Sequence, residues 1–229
     1  MTTIADNLQQ VRARIVTACT RAGRDPAGVR LLAVSKTVDT QAVRAAHAAG
    51  QGAFGENYVQ EGIAKIEALA DLRDSIEWHC IGPLQSNKTR AAAAHFDWVH
   101  SVDRLRIAER LHAQRPAHLA PLQVCIQVNV DGGANKSGVS PAEVGPLALA
   151  VTALPRLRLR GLMAVPEPAN GYTQQLELFS RAAALLAELE GQIAGLDTLS
   201  LGMSGDLEAA VASGSTMVRI GTALFGRRG

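Results

Sequence analysis

Residues 30–55, RLLAVSKTVDTQAVRAAHAAGQGAFG, contain one complete strand–helix–strand unit. The run LLAVSK is apolar and β-rich, whereas TQAVRAAHAAG has helical spacing, follows an aspartate and ends in glycine. The run GAFG then predicts a second strand. A helix that connects two strands in this way is the building block of a parallel sheet.

The same alternation continues along the rest of the chain. Eight candidate strands are LLAVSK (31–36), GAFG (52–55), EWHCIG (77–82), DWVHS (97–101), LQVCIQVNV (122–130), LRLRGLMAV (157–165), TLSLG (198–202) and STMVRIG (215–221). Eight strand–helix units predict an α/β fold, a single (β/α)8 TIM-type barrel, with an extra amino-terminal helix at roughly residues 3–23. No Pro/Gly/Ser-rich linker interrupts the pattern, so residues 1–229 are predicted to form one domain.

Composition excludes several classes of function. The chain has 229 residues, 47% of them hydrophobic, and its 23 basic and 21 acidic residues give a net charge of +2, without the basic excess of a nucleic-acid-binding protein. It has no apolar run long enough to span a membrane, and its amino terminus lacks the apolar centre of a signal peptide. Three widely spaced cysteines predict buried, reduced thiols and a cytoplasmic location.

Lys36 is the first candidate functional residue. In TIM-type barrels the active groups gather at the carboxyl ends of the strands, and Lys36 ends the first predicted strand. Side chains alternate along a strand, so if Val34 fills the barrel interior, Lys36 points into the barrel mouth. A partly desolvated amine there suits Schiff-base formation with an aldehyde or ketone. The alternative is a lysine whose stem covers apolar surface at a strand end.

The last two predicted strands end in a candidate anion site. Phosphate commonly binds the loops after strands seven and eight of such barrels. Gly202 permits close backbone approach, and Ser204 is predicted to be a helix N-cap. Gly221 and Thr222 are predicted to begin another short helix, so with Ser204 they form a candidate phosphate cradle, although simple caps or turns would explain each. Arg219 adds a guanidinium near the mouth; its alternative role is an ion pair.

Several ordered motifs resemble the pyridoxal phosphate homeostasis protein family across nearly the whole chain. They are AVSKT, FGENYVQE, WHCIGPLQSNK, QVNVDGGANKSG, GLMAVPE, LSLGMSGD and STMVRIGTALFG. The resemblance implies a barrel similar to the amino-terminal domain of bacterial alanine racemases. It further implies that Lys36 carries pyridoxal 5'-phosphate (PLP) as a Schiff base and that Arg219 faces the pyridine nitrogen. Ser204, Gly221 and Thr222 would then hold the phosphate.

Asn57, after FGE, resembles a family residue beside the cofactor; its alternative role is a helix N-cap. An arginine opposite the pyridine nitrogen disfavours protonation of that nitrogen, which argues against transamination and decarboxylation. Alanine racemases also use a tyrosine from a second domain, whereas Tyr58 and Tyr172 are predicted in the first turns of barrel helices. The resemblance therefore implies a PLP-binding protein of PLP homeostasis, without established turnover, that affects amino-acid and keto-acid balance.

Two other functions remain open alongside this one. They are a PLP-dependent amino-acid racemase and a Schiff-base lyase of the aldolase type, for which Arg219 has no obvious use. The expected partners are PLP itself and, transiently, PLP-dependent enzymes, with no nucleic acid, no membrane and a monomeric chain. Lys88 and Lys136 are expected to be surface lysines rather than a second cofactor site. The six histidines lack metal-ligand spacing, and His79 is expected to be hydrogen-bonded and half-buried.

Overall fold

The predicted barrel is confirmed in a computed structural model, which describes residues 3–132 and 137–226. Eight parallel strands close into a barrel in chain order. They are β1 (Arg30–Val34), β2 (Ala53–Glu56), β3 (Glu77–Cys80), β4 (Trp98–Val102), β5 (Leu122–Gln127), β6 (Leu157–Met163), β7 (Thr198–Ser200) and β8 (Met217–Ile220). The barrel closes where β8 pairs with β1, with Arg219 opposite Leu32.

Nine α-helices lie within the described ranges. They are α1 (Ile4–Arg21), α2 (Thr40–Ala48), α3 (Val59–Ala68), α4 (Thr89–His95), α5 (Leu105–Gln114), α6 (Pro141–Thr152), α7 (Tyr172–Glu190), α8 (Leu207–Ala212) and α9 (Thr222–Phe225). The extra amino-terminal helix is confirmed as α1, and its first turn is stabilised by a capping box between Thr3 and Asp6. Among the described residues, no helix combines the length and apolarity needed to cross a membrane.

The apolar residues form two layers, because side chains alternate between the two faces of each strand. The larger layer packs the outer faces of the strands against the helices and includes Phe54, Trp78 and Phe96. Inside the barrel, a smaller cluster joins Trp98 to the side chains of Cys125 and Met163. All three cysteines are buried and free, as predicted.

Strand boundaries differ from the sequence prediction at the carboxyl ends. β1 ends at Val34, so Lys36 lies in the turn that follows the strand instead of at its last position. The reason is local, because the amide of Val38 bonds to the carbonyl of Ser35 and bends the chain there. The predicted fifth and sixth strands are also shorter than expected and end at Gln127 and Met163. These shorter strands leave longer loops at the barrel mouth.

Candidate functional site

One cavity at the carboxyl ends of β1 and β8 contains all six residues that the sequence predicts to bind the cofactor. Its volume is about 420 Å³, and we call it the mouth cavity. It is lined by Val34, Lys36, Asn57, Ile81, Val165, Met203, Ser204, Gly205, Arg219, Gly221 and Thr222. Larger hollows occur elsewhere, including one of about 720 Å³ at the amino-terminal ends of the strands, so size alone does not single out this site. What distinguishes the mouth cavity is its combination of an amine, a guanidinium and hydroxyls.

Lys36 enters the mouth cavity from a turn of unusual backbone geometry. Val34 and Lys36 both line the cavity, although Lys36 follows the end of β1. The next residue, Thr37, has φ of 60° and is the one non-glycine residue in the described part of the chain with positive φ. A β-branched residue in this region is strained by about 1–3 kcal/mol, so the surrounding structure must hold it there.

The turn formed by Ser35–Thr37, which we call the Lys36 turn, is held by buried charges behind it. Lys65 Nζ donates to the backbone oxygen of Ser35 at 2.5 Å and to Glu56 Oε1 at 2.9 Å. The hydroxyl of Ser35 donates to the same Glu56 oxygen at 2.6 Å. On the other side of Lys36, the backbone amide of Thr37 donates to Glu61. These contacts fix the residues on both sides of Lys36 and so limit where its amine can reach.

Arg219 is buried and lines the mouth cavity. Its Nη1 donates to the carbonyl of Ser200 at 2.5 Å and to the hydroxyl of Ser200 at 2.8 Å, and its Nη2 donates to the carbonyl of Ala164 at 2.9 Å. Burial lowers the pKa of Arg219 to about 10, which still leaves it charged at neutral pH. No carboxylate in the described residues lies within ion-pair distance of it. The ion-pair alternative therefore has no support there.

Ser204 is not a helix N-cap, and that prediction is wrong. Helix α8 begins at Leu207, with Asp206 in the cap position. The reason is that the loop makes an extra turn first, in which Asp206 Oδ1 accepts from the amide of Met203 at 2.5 Å. Ser204 lies within that turn and still lines the mouth cavity.

Gly202 allows the chain to leave β7 in the direction of the cavity. Its φ is 87°, and a Cβ atom at this position would lie only 2.4 Å from the Cβ of Ala210. Its carbonyl accepts from the amide of Arg219 at 2.9 Å, so the backbone here is tied to β8. Glycine is therefore required at this position for both conformation and space.

The extra helix α1 holds both candidate phosphate loops. Arg14 Nη1 donates to the carbonyl of Ser204 at 2.7 Å, and its Nε and Nη2 pair with Glu208 of α8 at 2.5 and 2.6 Å. Nearer the start of α1, the side-chain amide of Asn7 donates to the carbonyl of Leu224 in α9 at 2.9 Å. Helix α1 thus connects the loops after β7 and β8 from outside the barrel.

The loop after β8 begins a short helix, as predicted. Gly221 occupies the cap position of α9, and Thr222 is the first helical residue. Both line the mouth cavity beside Ser204 from the neighbouring loop. The three residues therefore line one cavity from the loops after two neighbouring strands, which suits a cradle for an anionic group.

Asn57 is not a helix N-cap either, and that alternative is excluded. Helix α3 begins at Val59 with Tyr58 in the cap position and has no side-chain cap hydrogen bond. The Asn57 Oδ1 atom is buried without a hydrogen-bond partner in the described residues, although the side chain lines the mouth cavity. A Cβ atom at Gly82 would lie 2.1 Å from the Asn57 carbonyl, so that glycine permits the close approach. Asn57 keeps unused hydrogen-bonding capacity beside the cavity.

The comparisons with known proteins agree with the motif resemblance. The family model described as the alanine racemase N-terminal domain matches residues 6–229. The pyridoxal phosphate homeostasis protein of Pseudomonas aeruginosa is 60% identical over 228 residues, which cover 100% of this chain and 97% of that protein. The chain belongs to the pyridoxal phosphate homeostasis protein family. The Escherichia coli protein of the same name is 57% identical over 229 residues, covering 100% of this chain and 98% of its own length.

A solved structure extends the family likeness to three dimensions. PipY from Synechococcus elongatus, solved with PLP bound, is similar to this chain with a TM-score of 0.85 and 39% identity. The likeness covers 98% of this chain and 100% of PipY. The residues of the mouth cavity fit such a group, since they combine an amine, a buried guanidinium and the unpartnered amide oxygen of Asn57.

Four other residues that the sequence analysis considered do not line the mouth cavity: Tyr58, Tyr172, His79 and Lys88. Tyr58 and Tyr172 lie where the sequence predicts, at the starts of α3 and α7, and are 63% and 52% exposed. His79 is fully buried rather than half-buried, because it lies inside the barrel. Lys136 lies outside the described residues, whereas Lys88 lies in a short 3-10 helix before α4. The described residues contain no cluster of side chains suited to a metal ion.

Sequence reasoning missed the residues that support the site from behind. Lys65, Glu56 and Glu61 hold the Lys36 turn. In the sequence alone, Glu56 is an ordinary charged residue at a strand end, and Glu61 and Lys65 are ordinary charged residues on a helix. One signal was present, because Lys65 and Ile66 both fall on the buried face of α3. A lysine on a buried helical face needs charged or polar partners.

Proposed function

We propose that this chain binds PLP reversibly in the mouth cavity, as a Schiff base on Lys36, and acts in PLP homeostasis within the cell. The observation that carries the proposal is that Lys36, Arg219 and the three phosphate candidates all line one cavity. The relatives' name and the PLP-bound PipY structure support the same ligand.

Lys36 supplies the covalent bond in this proposal. Its uncharged amine attacks the aldehyde carbon, a C=N bond forms and one water molecule leaves. Hydrolysis or exchange with another amine reverses the bond, so the cofactor is held without being lost. Lys65 holds Ser35 and Glu61 holds Thr37, so the Lys36 turn is fixed on both sides of Lys36. This limits the reach of the amine and keeps it beside the cavity.

Arg219 sets the chemistry that the bound cofactor supports. A charged guanidinium opposite the ring nitrogen disfavours protonation of that nitrogen, and an unprotonated ring withdraws electrons weakly. The group that PLP supplies when bound is a reactive aldehyde, and this arrangement stores that aldehyde instead of activating amino acids through it. Release to PLP-dependent enzymes would then affect amino-acid and keto-acid balance.

We infer two further properties from the same observations. The chain works as a monomer, because the six residues that the sequence predicts to bind PLP already meet in one cavity within one chain. It works in the cytoplasm, since its three buried cysteines are free thiols. Light scattering coupled to size exclusion, with and without PLP, measures the first property. A dimer at micromolar concentration would contradict it.

The test is spectroscopic. Native protein with added PLP is expected to develop the visible absorption of a protein-bound Schiff base, and borohydride reduction followed by peptide mapping is expected to label Lys36. Lys36→Ala should lose the absorption and the label, whereas the matched variant Lys88→Ala should keep both. Labelling elsewhere, or no label in native protein, would overturn the Lys36 assignment. Turnover of D- or L-amino acids, or of sugar phosphates, would replace the proposal with a racemase or an aldolase-type lyase.

A further inference from the structure

Polar side chains form an unbroken line of hydrogen bonds through the barrel interior. Glu77 Oε1 lies 2.8 Å from His79 Nε2, and His79 Nδ1 lies 2.9 Å from His100 Nε2. His100 Nδ1 lies 3.1 Å from the hydroxyl of Ser200, which accepts from Arg219 Nη1 at 2.8 Å. We call these five residues the interior chain. It runs across strands β3, β4, β7 and β8 to the wall of the mouth cavity.

Burial determines the protonation of the two histidines. His79, His100 and Ser200 have no solvent exposure. Burial lowers the pKa of His79, and burial together with the neighbouring His79 lowers that of His100 further. Both rings are therefore neutral at physiological pH, and each has one donor nitrogen and one acceptor nitrogen.

The ends of the interior chain then determine the direction of every bond. Arg219 can only donate, so Ser200 accepts from it, and the single hydroxyl proton of Ser200 stays available for His100 Nδ1. His100 must then carry its proton on Nε2 and donate it to His79 Nδ1. His79 in turn carries its proton on Nε2 and donates it to Glu77. The opposite direction would need a proton on Glu77, whose pKa is lowered, because the hydrogen bonds from His79 and Arg30 and the charge of Arg30 outweigh burial.

The geometry points to a positioning role for Glu77, His79, His100 and Ser200: they hold the Arg219 guanidinium in one orientation towards the mouth cavity. All the bonds run in one direction, from a cation to a carboxylate, and each polarises the next. The interior chain thus supplies Arg219 with a distant negative partner, in place of a carboxylate beside it. The inference extends the proposed function, because it rests on Arg219 facing the cofactor ring.

Packing around the histidines supports a fixed arrangement. The ring of Trp98 stacks on that of His79, with centroids 5.2 Å apart and planes inclined by 16°. The guanidinium of Arg160 lies 4.9 Å from the Trp98 ring. Glu77 also pairs with Arg30 at 2.8 Å and lines the large hollow at the amino-terminal ends of the strands. The far end of the interior chain is thereby anchored at the opposite end of the barrel from the mouth cavity.

The first arm of the test uses the protein without PLP. Long-range ¹H–¹⁵N spectra of the histidine rings are expected to show His79 and His100 as neutral tautomers protonated at Nε2. The Nη1–H signals of Arg219 are expected to exchange slowly with water in native protein and measurably faster in Ser200→Ala, although the bonds of Arg219 to the backbone carbonyls of Ser200 and Ala164 remain. Protonation at Nδ1 of either ring, or equally slow exchange in Ser200→Ala, would overturn the inference whether or not PLP binds.

The second arm uses the protein with PLP. Ser200→Ala is expected to shift the visible absorption maximum and to weaken PLP retention by about fivefold to tenfold, since Arg219 loses one of its three hydrogen bonds and keeps those to the backbone carbonyls. Ser200→Thr, which keeps the hydroxyl, should restore both. The matched control is Ser101→Ala, which removes a buried serine hydroxyl bonded to the Gly82 carbonyl at 2.6 Å outside the interior chain. Equal effects of Ser200→Ala and Ser101→Ala would contradict the positioning role, whereas absence of binding by native protein would overturn the proposed function alone.

Discussion

The ammonium group of Lys65 lies 2.5 Å from the backbone oxygen of Ser35, so a buried helical lysine holds the residue immediately before Lys36. The same ammonium pairs with Glu56 at 2.9 Å and with Glu61 at 2.7 Å. Glu56 has no solvent exposure, and desolvation raises its pKa even though Ser35 and Lys65 oppose the shift. The Lys36 turn therefore depends on a charge network that lies on the outer side of the barrel wall.

Replacing Lys65 is expected to damage both stability and Schiff-base formation. Lys65→Met leaves Glu56 buried without its cation, which costs about 3–5 kcal/mol of unfolding free energy. Borohydride labelling of Lys36 should also slow, because the Lys36 turn loses its contact at Ser35. Urea unfolding and timed labelling measure the two effects. Adding Glu56→Gln to Lys65→Met should recover part of the stability, and an additive result would contradict the coupling between the two residues.

Gly202 offers a test of the loop that leads to Ser204. Gly202→Ala is expected to destabilise the protein by about 1–3 kcal/mol, because alanine is strained at positive φ and its methyl group would clash with Ala210. Thermal unfolding measures the change. The matched control is Gly191→Ala, at a helix end with φ of −68° and ordinary contact distances, and it should be neutral or slightly stabilising. Equal destabilisation by both substitutions would refute the explanation.

Arg14 tests whether α1 supports the phosphate loops. Arg14→Met removes the contact to the Ser204 carbonyl and the pair with Glu208, so PLP retention should weaken several-fold. Stability should change by less than about 1 kcal/mol, because the pair is partly exposed. Equilibrium dialysis with PLP measures retention. Arg12→Met, on the same helix but bonded to Gly50, should retain PLP like the native chain, and an equal loss in both would exclude a specific role for Arg14.

Stability should fall in acid in two stages. The pKa of His79 and His100 is lowered from 6.5 by folding, so below that pH the unfolded chain binds more protons than the folded chain. The loss should reach up to about 2 kcal/mol for each histidine on going to about pH 5. A second loss should begin below pH 4.5, because the pKa of Glu77 falls to about 2 on folding. Urea unfolding at several pH values measures both; a flat profile from neutral pH to about pH 5 would show that the histidines are not held neutral.

Most of the fold could be predicted from the sequence, because a strand–helix pattern that repeats eight times in one domain is typical of a (β/α)8 barrel. The motifs also identified the pyridoxal phosphate homeostasis protein family. The six predicted binding residues line one cavity. Their roles towards PLP stay predictions. The alternation of side chains predicts that Lys36 and Val34 face the same side, and both line the mouth cavity, although β1 ends at Val34 and the turn after it places Lys36.

The exact caps and the supporting contacts could not be predicted, because they depend on residues far apart in the chain. Serine and asparagine are typical N-cap residues, yet the helices that follow Ser204 and Asn57 begin later in the chain. Nothing near Ser200 in sequence indicates that His100 would lie 3.1 Å away, a hundred positions earlier in the chain. Local propensity acts over a few residues, whereas closing the barrel determines which buried polar groups meet, and burial favours arrangements in which most of them find a partner.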